Sequence, residues 1–151
     1  MQNLNFNINN ETSFKMKKIT LIILVFIGIM QVSLAQETKF QLSSHILDIT
    51  TGKPATNVKI TLSKMNKNDT WTMVEEKNTD SNGRIKDFLK HDGKDNTGIY
   101  KLTFHTSPYF KSLGNKSFYP FIEVVFELVD NEHYHVPITL SPFGYSTYRG
   151  N

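Results

Sequence analysis

Apolar residues recur at every second position along several stretches of this chain. Val58, Ile60 and Leu62 are interleaved with Lys59, Thr61 and Ser63; Tyr100, Leu102 and Phe104 with Lys101, Thr103 and His105. Ile122, Val124, Phe126 and Leu128 alternate with Glu123, Val125 and Glu127. Tyr134, Val136, Ile138 and Leu140 alternate with His133, His135, Pro137 and Thr139. Successive side chains of a strand point to opposite faces, so each run predicts a half-buried strand with one apolar and one polar face. Residues 41–48 alternate more loosely, and 70–77, with the single Trp, and 84–88 are further strand candidates.

Breaks between the runs carry turn chemistry. Thr50-Thr51-Gly52-Lys53-Pro54 interrupts the chain after the first strand, and the pattern there suggests that 41–48 and the strand around Val58 form an antiparallel pair. Thr79-Asp80-Ser81-Asn82-Gly83 is a strong turn because Asn-Gly tolerates positive φ. Only 108–117 permits a short helix, with Pro108 at a first-turn position. Seven or eight short strands at roughly 10–15-residue spacing, with almost no helical periodicity, predict an all-β antiparallel sandwich.

The first 35 residues read differently. Met16-Lys17-Lys18 supplies a positive start, 19–30 an apolar run and Ser33-Leu34-Ala35 small residues at cleavage-determining positions, which together predict a secretory signal cut before Gln36. The apolar run is shorter than the ~20 residues of a spanning helix, so a retained anchor is the second choice. The Asn-rich residues 1–15 fit no targeting pattern, and initiation at Met16 accounts for them. The expected mature unit is 36–151, one domain in length, exported to the periplasm or secreted. Losing the leader takes the basic and acidic counts from 17 and 14 to 14 and 13, so the basic pI of the whole chain does not point to nucleic acid or to an anionic membrane surface. Cysteine is absent, which removes a thiol nucleophile, an iron–sulfur cluster and Cys-ligated zinc, and leaves an exported domain without disulfides.

Parity places His135 on the face turned away from the core. A lone strand histidine is more often solvated or packed than catalytic. His133 and His135 share a face and have metal-ligand spacing, but no clear third ligand accompanies them, and no metal or other cofactor is expected. Nucleotide loops, EF-hands and His-Glu-x-x-His are absent from the sequence. His91 and His105 match no motif and are expected at the surface.

Several motifs, however, occur together and in order. Ser44-His45-Ile46-Leu47-Asp48 is followed by Gly52-Lys53-Pro54-Ala55, then Asp80-x-x-Gly83-Arg84, then Phe118-Tyr119-Pro120. The chain closes with His133-Tyr134-His135-Val136-Pro137 and Ser141-Pro142-Phe143-Gly144-Tyr145-Ser146-Thr147-Tyr148-Arg149-Gly150. From about Phe40 onward this resembles the 5-hydroxyisourate hydrolases, the transthyretin-related enzymes of purine catabolism. The resemblance implies a transthyretin-like sandwich of two four-stranded antiparallel sheets with one short helix, assembled as a homotetramer, a dimer of dimers with active sites in the channel between them. It implies a small purine-derived substrate, with His45, Arg84 and His135 catalytic and Tyr148 and the terminal residue on the substrate. That family ends Tyr-Arg-Gly-Ser, whereas this chain ends in Asn151. An amide can position water or substrate but can neither relay a proton nor act as a nucleophile.

The residue types suit the implied reaction. Opening a cyclic ureide requires water to lose a proton near pH 7, for which histidine is suited. The oxyanion that develops needs a fixed cation, which a planar arginine supplies. The competing expectation is a non-catalytic transthyretin-like or carboxypeptidase-regulatory-like binding module in the periplasm, which shares the strand-and-turn pattern around Asp48 and Asp80 but gives no reason for the histidines and the tail.

Overall fold

The structure, a computed structural model of the chain, describes residues 40–150. The expected leader, residues 1–35 with its start at Met16, residues 36–39 and Asn151 lie outside the described residues. Among the described residues nine strands and one helix follow in chain order: β1 (Phe40–Asp48), β2 (Lys53–Pro54), β3 (Lys59–Met65), β4 (Trp71–Asn78), β5 (Arg84–Lys90), β6 (Gly98–Phe104), α1 (Thr106–Ser112), β7 (Ile122–Leu128), β8 (Tyr134–Ser141) and β9 (Gly144–Thr147). They form two sheets. In the first, β1 is central, with β2 and β5 along one side, β8 on the other and β9 beyond β8; the second has the order β4-β3-β6-β7.

The alternating runs explain the core. Leu42 and Ile46 of β1, Ile85 and Phe88 of β5 and Val136, Ile138 and Leu140 of β8 pack in one buried cluster with Ile60 and Leu62 of β3, Leu102 and Phe104 of β6 and Ile122 and Leu128 of β7. Full burial of each such side chain contributes about 1.5–3 kcal/mol. Helix α1 joins the cluster through Phe110, and Tyr109 donates its hydroxyl to buried Asp48 at 3.0 Å; burial, and then this contact, push the phenol up to about 12.

The sandwich agrees with the alternation, and three details differ from it. First, β1 and β3 do not pair: they lie in different sheets. After the turn the chain folds back only as far as Lys53 and Pro54, paired with Asp48 and Leu47, and then crosses to the other layer. Second, β1 and β8 run parallel, although every other pair is antiparallel. Third, α1 stops at Ser112 because Gly114 takes φ +75°. The Gly114 and Asn115 amides turn back onto the Lys111 and Phe110 carbonyls, a Schellman closure that ends the helix well before residue 117.

Candidate active site

The outer face of the first sheet carries the site. In β1, Ser43 and His45 are half-buried between the fully covered Leu42, Ser44 and Ile46, so the two polar residues share the face opposite the core. The parallel register sets Ser43 beside His135 and His45 beside Pro137. On the other flank the antiparallel register sets His45 beside Arg84. Three neighbouring strands thus bring His45, Arg84 and His135 onto one face.

The Asp80 turn positions the arginine. Asp80 Oδ1 accepts hydrogen bonds from the Asn82 and Arg84 amides at 2.8 and 2.9 Å, and the Asp80 amide donates to the Arg84 carbonyl at 2.9 Å. The first of these contacts in strength, from the Arg84 amide, holds the Asp80 carboxyl below its usual range. Gly83 takes φ +69°, and a Cβ there would stand 2.7 Å from the Ile46 carbonyl oxygen. Only glycine lets the turn approach β1 so closely, and the approach delivers Arg84 to the start of β5 opposite His45.

Electrostatics follow from this crowding. Burial, and then the Arg84 guanidinium, hold His45 below the ordinary 6.5, against the opposing pull of the Asn82 carbonyl and of Asp80. His135 is lowered by burial first, then by Arg84, His45 and His133. Both imidazoles are therefore predominantly neutral at pH 7, the state in which a histidine can accept a proton.

The chain end is stitched to the same strand. β9 pairs with β8 from Ile138–Thr147 to Ser141–Gly144, and Gly150 rejoins β8 opposite His135 in the same register, its amide 2.8 Å from the His135 carbonyl. Between the two, Pro137 has no N–H to give, and its carbonyl accepts from the Thr147 hydroxyl at 2.9 Å. Tyr148 and Arg149 are exposed, and they border a cleft of about 470 Å³ with Val125, Phe126 and Tyr134. That cleft contains none of His45, Arg84 and His135. Of the residues expected in the site, the structure thus gathers the two histidines and Arg84 on one face, while Tyr148 lines the cleft beside the strand that carries His135 and Asn151 lies outside the described residues.

Two participants were not singled out from the sequence. Ser43 Oγ lies 2.8 Å from His135 Nδ1 and 2.9 Å from His133 Nε2, bridging the two. Gly150 has the His135 ring where a Cβ would be. Strand parity alone would have set Ser43 on the face of His45; its proximity to His135 depends on the β1–β8 register. Among the described residues no three His, Cys, Asp or Glu side chains are grouped so as to hold a metal ion. His91 is exposed, but His105, expected at the surface, is half-buried against Thr61, whose Oγ is 3.0 Å from its Nε2.

A two-sheet sandwich with two neutral histidines and an arginine on one outer face defines a protein of transthyretin architecture carrying acid–base groups and a fixed cation. Comparison with known proteins agrees. The HIUase/Transthyretin family matches residues 42–150. A probable 5-hydroxyisourate hydrolase of Caenorhabditis elegans is 42% identical over 137 residues, which covers 90% of this chain and 100% of the relative. Klebsiella pneumoniae 5-hydroxyisourate hydrolase superposes with TM-score 0.63 at 35% identity, over 74% of this chain and 96% of that one. Sea bream transthyretin in complex with thyroxine superposes with TM-score 0.68 at 30% identity, over 73% and 94%. The chain belongs to the HIUase/Transthyretin family.

Proposed function

We infer that this protein hydrolyses 5-hydroxyisourate to 2-oxo-4-hydroxy-4-carboxy-5-ureidoimidazoline, a step of urate degradation. The observation that carries this reading is the convergence of His45, Arg84 and His135 on one face of β5, β1 and β8. A binding module needs no such cluster. In the reaction His135 takes a proton from water as its oxygen adds to the ring carbonyl carbon. Arg84 donates to the carbonyl oxygen as negative charge builds there. The carbon–nitrogen bond then breaks, and the proton that His135 took from water passes by way of His45 to the departing nitrogen, which returns both imidazoles to the neutral state. Tyr148 and Asn151 contribute to holding the substrate.

Assembly and location complete the reading. The protein is a homotetramer, two edge-paired dimers placed so that the histidine faces border a channel. Supporting this, β7 and β9 are the outermost strands of their sheets, and Val125 and Tyr145 on them expose 56% and 43% of their surfaces. Residues 16–35 direct export, with cleavage before Gln36. Light scattering should give four times the protomer mass, and mass spectrometry of the secreted protein should place its N-terminus at Gln36.

For the activity, freshly generated 5-hydroxyisourate is followed spectrophotometrically with purified protein and with His135→Ala. The native protein should accelerate its decay and the variant should not. Decay at the uncatalysed rate with the native protein would sink the assignment.

A further inference from the structure

We propose that Ser43 and His133 form a proton-ordering relay that holds His135 as its Nδ1–H tautomer, leaving Nε2 bare to act as the base; this rests on the hydrolase reading above. The relay starts at the backbone. His133 Nδ1 stands 3.1 Å from the Phe40 carbonyl oxygen. A carbonyl only accepts, so Nδ1 of His133 carries a proton, and in the neutral ring its Nε2 is an acceptor. Ser43 Oγ lies 2.9 Å from that Nε2 and donates its single proton to it.

With that proton committed, the Ser43 oxygen can only accept along its other short contact, the 2.8 Å approach to His135 Nδ1. His135 must then donate from Nδ1, and its lone pair is on Nε2. The order of donors, from His135 to Ser43 to His133 to the Phe40 carbonyl, is thus set by one backbone oxygen at its end.

Ser43 and His133 are positioning residues. Their part resembles that of the aspartate in a Ser-His-Asp triad, where loss of the correct imidazole tautomer lowers kcat about 10⁴-fold. A neutral hydroxyl holds an imidazole less firmly than a buried carboxylate does. Ser43→Ala and His133→Phe should therefore lower kcat by about 10- to 100-fold with KM little changed, and Ser43→Thr, which keeps the hydroxyl, should stay within about threefold of native.

A simple loss of strand cohesion could also slow the enzyme, so the tautomer itself is read. Long-range ¹H–¹⁵N spectra of the full-length protein labelled at histidine nitrogen report which nitrogen of each neutral ring carries the proton. His135 should appear as Nδ1–H in the native protein and in Ser43→Thr, and as a mixture or as Nε2–H in Ser43→Ala. An Nε2–H tautomer in the native protein, or an unchanged His135 tautomer and kcat in Ser43→Ala, overturns the relay. These spectra need no substrate. A native protein inactive on 5-hydroxyisourate but with the expected tautomers would refute the hydrolase reading and leave the relay standing.

Discussion

Gly150→Ala isolates the contribution of the chain end to the site. Gly150 does not occupy the left-handed region, so an alanine is acceptable to its backbone, and space is the only objection. A Cβ there would stand 2.5 Å from His135 Cδ2, 3.2 Å from Cγ and 3.3 Å from Cβ. Real contacts of this kind begin near 3.4 Å, so ring or tail must move by roughly 0.9 Å. Moving the ring pulls His135 Nδ1 from Ser43 Oγ, and moving the tail breaks the 2.8 Å bond from the Gly150 amide to the His135 carbonyl. Misplacement of about 1 Å can cost 10²-fold in rate, so kcat/KM on 5-hydroxyisourate should fall by about that factor. Stability should change little, because the strain is relieved at the cost of one hydrogen bond, about 1 kcal/mol or roughly 4 °C in Tm. Gly144→Ala is the control: its Cβ would meet only Ser141 Oγ, at 3.7 Å. A Gly150→Ala enzyme whose kcat/KM stays within about twofold of native would refute the tail's role in holding the imidazole.

Arg84→Ala should lower kcat by about 10²-fold or more, as loss of one oxyanion donor does, with a circular dichroism spectrum like the native one. Because His45 and His135 are both held below 6.5, activity should rise with pH on an acid limb centred below 6.5 and be level at pH 7, as pH–rate profiles will show. The same shifts act on stability: the unfolded chain takes up these protons first, so urea midpoints should fall as pH drops below 6.5. Asn151→Ser should raise kcat/KM by no more than about tenfold if the terminal side chain only positions a ligand, the worth of a single hydrogen bond. A gain of several hundredfold in that variant would mean that a hydroxyl takes part in the chemistry.

Much of this was legible in the residues because alternation reports faces directly. Tyr134, Val136, Ile138 and Leu140 are all in the core, and His135 is on the other side, as their parity requires. Partners are another matter. Nothing in the pattern of 41–48 distinguishes a strand paired with β3 from one placed between β5 and β8, since both bury the same residues. The choice is made by the short return at Lys53 and Pro54 and by the close packing of Gly83 against β1, which are long-range events. The role of Ser43 was hidden for the same reason, because it depends on the parallel register with β8. The helix end was readable in principle from Gly114, which stands inside the 108–117 span that the sequence allowed for a short helix.

The sandwich itself does not decide what the protein does, since the same architecture serves a thyroxine complex in one relative and bears a hydrolase's name in another. What discriminates is an arrangement that works against the fold. An outer sheet face in contact with water is satisfied by almost any polar residue, and Thr139 on the same face of β8 shows how undemanding such a position is. Half-burying both imidazoles, and then setting Arg84 near them with His45 and His133 near His135, lowers their proton affinity and makes their protonation oppose folding. A purely structural surface gains nothing from that conflict, whereas a site that must keep imidazoles neutral beside a fixed cation depends on it.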